Sequence, residues 1–141
     1  MSETRILTVR QPWAWAIIHG GKNVENRVRN IAGDYRGPVA IHSALTGASF
    51  DGKHYDLWPF DKRHVVGAII GVVDLVDVHR SGMECSRGVT CHEYELCSPW
   101  SEAYAYHLEL ANPRPLRVPL PFKGALGLRR FDSTLIDGRF A

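Results

Sequence analysis

The sequence is sparing in cysteine, with three in 141 residues. An odd count does not close into a disulfide framework and points to a reducing compartment, the cytoplasm. Long apolar runs are also missing. The longest, Val65 to Val73, has nine residues and includes two glycines, far short of the roughly 20 that a membrane-spanning helix needs. The first residues, Met1-Ser2-Glu3-Thr4-Arg5, lack the basic-then-apolar order of a secretion signal. No internal repeat and no low-complexity tract interrupts the chain. These absences argue against a disulfide-stapled secreted module and a helical membrane protein, and lead us to expect a cytoplasmic chain with no membrane partner.

What is present is ordinary in bulk and uneven in detail. Apolar residues make up 45% and charged residues 23%, as in soluble globular domains. The length suits one domain spanning residues 1–141, large enough to bury about two-thirds of its unfolded surface. The net charge of +2 hides a polarised distribution: residues 1–36 carry six Lys/Arg against three acids, and residues 113–141 carry six against two. Residues 37–79 and 80–112 are both net acidic. Ten of the twelve terminal basic residues are arginine, whose planar fork matches phosphates and base edges. If the two terminal quarters lie side by side, they form the basic face of a nucleic-acid binder. Scattered surface ion pairs are the plainer alternative.

Ile6 to Val9 reads as a short strand. Gln11-Pro12-Trp13 opens a helix in which Trp13, Ala14, Ile17 and Ile18 face inward, and Gly20-Gly21 ends it. Lys22 to Arg29 alternates as a half-buried strand, and Pro38 to Ser43 is another. One helix is expected around Ser49 to Leu57. Val65 to His79 is a strong strand signal, with Gly67 and Gly71 marking bends or a bulge. A long polar loop at 80–101 carries all the cysteines, and the alternation from Tyr104 to Leu110 reads as a strand. The proline-rich stretch from Asn112 to Pro121 predicts an extended surface connection, and Phe122 to Phe131 a closing strand. Five or six strands with one clear helix predict an α+β, mainly β chain, shaped as a small antiparallel barrel with one or more flanking helices.

The chemistry concentrates in Gly20-Gly21-Lys22-Asn23-Val24-Glu25-Asn26-Arg27. A helix end delivers Lys22 to a strand start, and Glu25 and Arg27 follow on one strand face. A cation, an acid and a second cation so close together can grip a polar planar ligand and tune one another's pKa. A surface ion-pair network is the competing explanation. Strict strand alternation would put Lys22 and Glu25 on opposite faces, so contact between them needs irregular backbone of the kind two glycines permit.

Gly-x-Lys-x-x-Glu-x-Arg after a helix opened by Gln-Pro-Trp-Ala resembles the signature of the ASCH domain, a PUA-like β-barrel. The stretch from Leu7 to Arg27, the strands Gly37 to His42 and Gly67 to Asp77, and the closing Pro119 to Leu128 stand in the order of that family. The resemblance implies a cleft between barrel and helix that takes RNA or a nucleoside, with DNA as a further possibility, and is lined by Lys22, Glu25 and Arg27. Arg10 and Trp100 join them as candidate ligand contacts. One branch of the fold hydrolyses N4-acylated cytidines with a lysine that corresponds to Lys22 and a threonine nucleophile three residues later. That position here is Glu25, which weakens an amidohydrolase reading but leaves Lys22 and Glu25 as candidates to position a water. The branch's third member, a glutamate, has Glu84, Glu93 and Glu95 as possible counterparts. Ribonuclease activity is a further possibility in the family, for which His42, His79 and His107 could supply acid–base groups.

Cys85, Cys91, His92 and Cys97 offer four soft donors within thirteen residues, a set that tetrahedral zinc accepts. Their irregular spacing leaves two readings, a structural zinc or unliganded loop cysteines with no cofactor. The aromatic residues Trp13, Trp15, Trp58, Trp100, Tyr104 and Tyr106 are many for this length. Trp13 is expected in the core. Trp100 is either a stacking platform beside the cleft or a packed loop anchor. A binding module for RNA or a modified nucleoside is therefore expected, with a small hydrolase as the alternative.

Overall fold

The computed structural model describes residues 3–81 and 97–141. Six strands and one α-helix succeed one another: β1 (Thr4–Val9), α1 (Trp13–His19), β2 (Val24–Arg27), β3 (Gly37–Ser43), β4 (Ala68–Arg80), β5 (Tyr106–Pro121) and β6 (Leu128–Phe131). They form one sheet in the order β2-β5-β4-β3-β1-β6. The expected barrel is corrected in two respects. The sheet is not closed, since no ladder joins β2 to β6 among the described residues. It is also mixed rather than antiparallel, because β1 and β3 run parallel, with Leu7 opposite Ile41. Parallel neighbours require a long crossover, and the segment containing α1 and β2 supplies it.

Both faces of the central strands are covered, and this explains their near-continuous apolar runs. Leu7, Val9, Val39, Ile41, Val73 and Leu75 pack with Ala14, Ile17 and Ile18 of α1. On the opposite face, Ile6, Ala40, Ile69 and Val72 pack with Leu116 and with Ile136 of the short 3-10 turn Ser133–Ile136. Gly71 lies where the register slips in both ladders flanking β4. A Cβ there would come within 2.7 Å of the Arg114 carbonyl and 2.8 Å of Ile18 Cδ1, so a bulge and the close approach of α1 both require glycine.

Several expected boundaries move. The predicted helix over 49–57 reduces to a 3-10 turn at Tyr55–Leu57, because aspartate, glycine and aromatics there carry no helical apolar period. The proline-rich stretch is strand after all: β5 runs through to Pro121. Its ladder with β4 slips between Leu120 and Pro115, and two of the residues between them pair elsewhere. Leu116 bridges Phe140, and Arg117 N–H donates to the Arg139 carbonyl. Prolines are tolerated where a ladder is irregular in this way. The closing strand keeps only its last four residues, Leu128–Phe131. No helix among the described residues is long and apolar enough to cross a membrane.

Candidate functional site: a cleft over a Lys-Glu-Arg array

The end of α1 sets the position of Lys22. Ala16 O accepts from both Gly20 N–H and Lys22 N–H, at 2.9 and 3.0 Å, while Gly21 takes the left-handed conformation at φ +78°. This turn points the lysine side chain inward before β2 begins at Val24. Lys22 therefore escapes strict strand alternation and meets Glu25. Its Nζ donates to the Val24 carbonyl and to Glu25 Oε1, the latter at 3.4 Å. Glu25 Oε2 accepts from Arg27 Nε at 3.1 Å, and Arg27 Nη2 reaches over to the Thr8 carbonyl of β1 at 3.0 Å. Lys22 is 5% exposed and Glu25 7%. Burial lowers the Lys22 pKa from its ordinary value, and the Glu25 carboxylate opposes that shift.

Above this array opens a cleft of about 140 Å³ with Lys22 and Glu25 among its lining residues. Trp13, His54 and Trp100 contribute aromatic walls. His54 stacks flat on Trp100, with centroids 4.5 Å apart and planes 5° apart, and Trp13 meets both rings edge-on. Asp51, Lys53, Asn26, Ser101 and Glu102 complete the polar lining. Asp51 is held down to about 2: its burial raises the pKa, but hydrogen bonds from the His54 backbone and ring and from Lys53 N–H outweigh it.

The segment 97–102 is tied to β2 by the two asparagines of the motif. Asn26 Nδ2 donates to the Trp100 carbonyl and its Oδ1 accepts from Glu102 N–H, both at 2.9 Å. Ser98 Oγ donates to Asn23 Oδ1 at 2.5 Å. The same eight residues thus supply the charged floor and hold one wall.

The candidate residues divide accordingly. Lys22, Glu25 and Trp100 line the cleft. Arg27 lies behind Glu25 and braces it. Arg10 is exposed and is not among the lining residues. Trp13, expected in the core, is half-buried and forms a wall, because α1 presents its N-terminal end to the cleft. Trp100 is half-buried and lines the cleft, with one ring face against His54.

None of His42, His79 and His107 lines the cleft. His42 is locked between Thr8 Oγ1 and the Phe122 carbonyl. Burial lowers the pKa of His107. Cys85, Cys91, His92, Glu84, Glu93 and Glu95 lie outside the described residues. Cys97 stands beside His79 and His107.

The basic terminal quarters meet only in part. Arg5 of β1 pairs in register with Arg130 of β6, and both approach Glu3. Arg36 and Arg114, however, pair with Asp77 and Asp74 of the acidic middle. Sequence reasoning missed Asp51, Lys53 and His54, which come from an irregular loop with no pattern to mark them. It also missed Asn23 and Asn26, whose signal was their place inside the motif.

Comparison with known proteins agrees with this architecture. The chain is similar to the crystal structure of a mutant form of ZmASCH from Zymomonas mobilis, with a TM-score of 0.62 and 16% identity over 99% of this chain and 100% of that one. No curated protein sequence matches it significantly. The family model of the ASCH domain matches residues 7–119. With the helix, glycine turn and charged strand all inside that span, the chain belongs to the ASCH domain family.

Proposed function

We propose that the cleft binds a single nucleobase, presented by RNA or by a modified nucleoside. The observation that carries this reading is the buried Lys22–Glu25 pair, braced by the half-buried Arg27, beneath aromatic walls. Burying charges costs several kcal/mol per ion, and such pairs add little to stability by themselves. A cation and a carboxylate side by side at a cleft floor do present a donor and an acceptor to the polar edge of a planar ring. Trp13 and Trp100 supply apolar and stacking surface around it. The lining holds two cationic side chains, Lys22 and Lys53, against three carboxylates, Glu25, Asp51 and Glu102. That balance suits an uncharged base better than a phosphate, so any RNA backbone would run outside the cleft. Family membership supports RNA as the source of the base.

A second reading, amide hydrolysis of an N4-acylated cytidine, is favoured by the lowered pKa of Lys22. A neutral amine could take a proton from water as it adds to the acyl carbonyl and return it to the leaving N4 nitrogen, releasing cytidine and the carboxylic acid. One assay separates the two. Purified protein is titrated with cytidine, N4-acetylcytidine and a short single-stranded RNA, and product is followed over hours. Saturable binding without cytidine release supports the binding module. Catalytic release that is lost in Lys22→Met and Glu25→Gln establishes the hydrolase.

A further inference from the structure

We propose that His79, Cys97 and His107 form a zinc site that ties β4 and β5 to the segment bearing Trp100. His79 and His107 stand directly opposite each other in the β4–β5 ladder. His79 Nε2 lies 3.1 Å from His107 Nδ1, and Cys97 Sγ lies 3.4 and 3.9 Å from those two nitrogens. Tetrahedral zinc, with bonds of about 2.0–2.1 Å to nitrogen and 2.3 Å to sulfur, needs its donors about 3.3 Å (N–N) and 3.6 Å (N–S) apart. The nitrogen pair stands about 0.2 Å closer than this, and the two nitrogen–sulfur separations lie on either side of their value. Two of the donors are fully or almost fully buried, with His107 0% and His79 5% exposed.

The outer hydrogen bonds select the tautomers. His79 Nδ1 faces Glu109 Oε2 at 3.1 Å, and His107 Nε2 faces the Glu102 carbonyl at 2.5 Å. Both partners only accept, so each of these ring nitrogens carries the proton. With both rings neutral, the two nitrogens that face each other present lone pairs, next to a sulfur that is a good ligand once ionised. A cation between them turns that mutual repulsion into coordination. A carboxylate or a backbone carbonyl on the far nitrogen of a ligating histidine is the usual outer support of a zinc site. Thiolate with imidazole is a zinc-type donor set, and among the described residues these three donors come together.

This set shares Cys97 with the one that spacing alone suggests and brings in a cross-strand histidine pair, while Cys85, Cys91 and His92 lie outside the described residues. It also has a structural consequence. Cys97 begins the segment that carries Trp100, Ser101 and Glu102, and Glu102 is itself held through His107.

The full chain, purified without chelator, should contain about one zinc per molecule. After removal of the metal, cobalt should restore stoichiometric binding, with intense visible bands of tetrahedral geometry and a thiolate-to-metal charge-transfer band. Cys97→Ser, a nearly isosteric change at a half-buried position, should abolish that band. Glu109→Gln should weaken zinc binding about 10–100-fold, and His79→Ala and His107→Ala should bind at least as weakly. Should the histidine variants fail to fold, the cobalt spectra of the native chain and Cys97→Ser still decide. A native chain that takes up neither metal overturns the proposal, and so does a charge-transfer band unchanged in Cys97→Ser. None of these readouts depends on nucleobase binding.

Discussion

Removing either partner of the Lys22–Glu25 pair should have unequal effects. At 3.4 Å and an effective dielectric constant of about 20, the attraction between Lys22 and Glu25 is about 5 kcal/mol. Lys22→Met gives up that attraction, but it also removes the several kcal/mol needed to bury the ammonium, and the thioether chain refills the space. Leaving the Val24 carbonyl without its donor costs about 1–3 kcal/mol. The net change should stay within about 2 kcal/mol. Glu25→Gln instead leaves Lys22 buried without its counter-ion and Arg27 without its carboxylate. Its cost is capped, because the lysine can shed its proton: from an ordinary value of 10.5, that takes about 5 kcal/mol at pH 7. Breaking a buried pair in this way costs about 3–5 kcal/mol, which lowers Tm by roughly 10–17 °C for a domain of this size.

The pH dependence follows in sign. Burial depresses the Lys22 pKa, so between its folded value and 10.5 the unfolded chain binds the extra proton. Stability therefore rises with pH across that window and levels off above it. Lys22→Met should remove the rise, and Glu25→Gln should widen the window. Calorimetry or thermal denaturation followed by circular dichroism, at pH 7 and at several alkaline values, measures all of this. A Tm loss in Lys22→Met as large as that in Glu25→Gln would refute the reasoning.

Other consequences are narrower. Trp100→Ala should weaken cytidine or N4-acetylcytidine binding by about 5–150-fold, the equivalent of 1–3 kcal/mol of stacking, as measured by titration calorimetry. Asn26→Ala removes the two hydrogen bonds that join Asn26 to Trp100 and Glu102. It should cost about 1–3 kcal/mol in denaturant unfolding, and should weaken nucleobase binding too. Gly71→Ala should cost about 1–3 kcal/mol or more, because its Cβ meets backbone and Ile18 below 3 Å; an unchanged midpoint would count against the packing described. The Asp51 carboxyl, held at about 2 against an ordinary 3.8, contributes stability that is present above 3.8 and lost as pH falls through about 2. Asp51→Asn should accordingly lower Tm at pH 6, with the gap closing in strong acid.

Local features were the readable ones. The helix from Gln-Pro-Trp to the double glycine follows from residues a few positions apart, and so does the delivery of Lys22 beside Glu25. The parallel pairing of β1 with β3 depends on a crossover, and no apolar alternation records which neighbour a strand chooses. Prolines 113 to 121 were misread because the C-terminal residues that pair with Leu116 and Arg117 are distant in the chain. Trp13 looked like core by its period, yet its position at the start of α1 puts it at the cleft. The lining residues Asp51 and His54 and the facing pair His79 and His107 are assembled only by tertiary contacts. The charge asymmetry was real in the sequence, but pairs such as Arg114 with Asp74 form across the divisions that defined it.

The central claim is that a nucleobase enters the cleft over Lys22 and Glu25. Indole N–H resonances test it most directly, since Trp13 and Trp100 line the cleft while Trp15 does not. In a 15N–1H titration with cytidine and N4-acetylcytidine, the Trp13 and Trp100 indole signals should shift together and saturate. The Trp15 signal should stay in place, and Lys22→Met should weaken the response about tenfold or more, consistent with a hydrogen bond to a charged group. Saturable shifts that spare Trp13 and Trp100, or a response of equal strength in Lys22→Met, would contradict it.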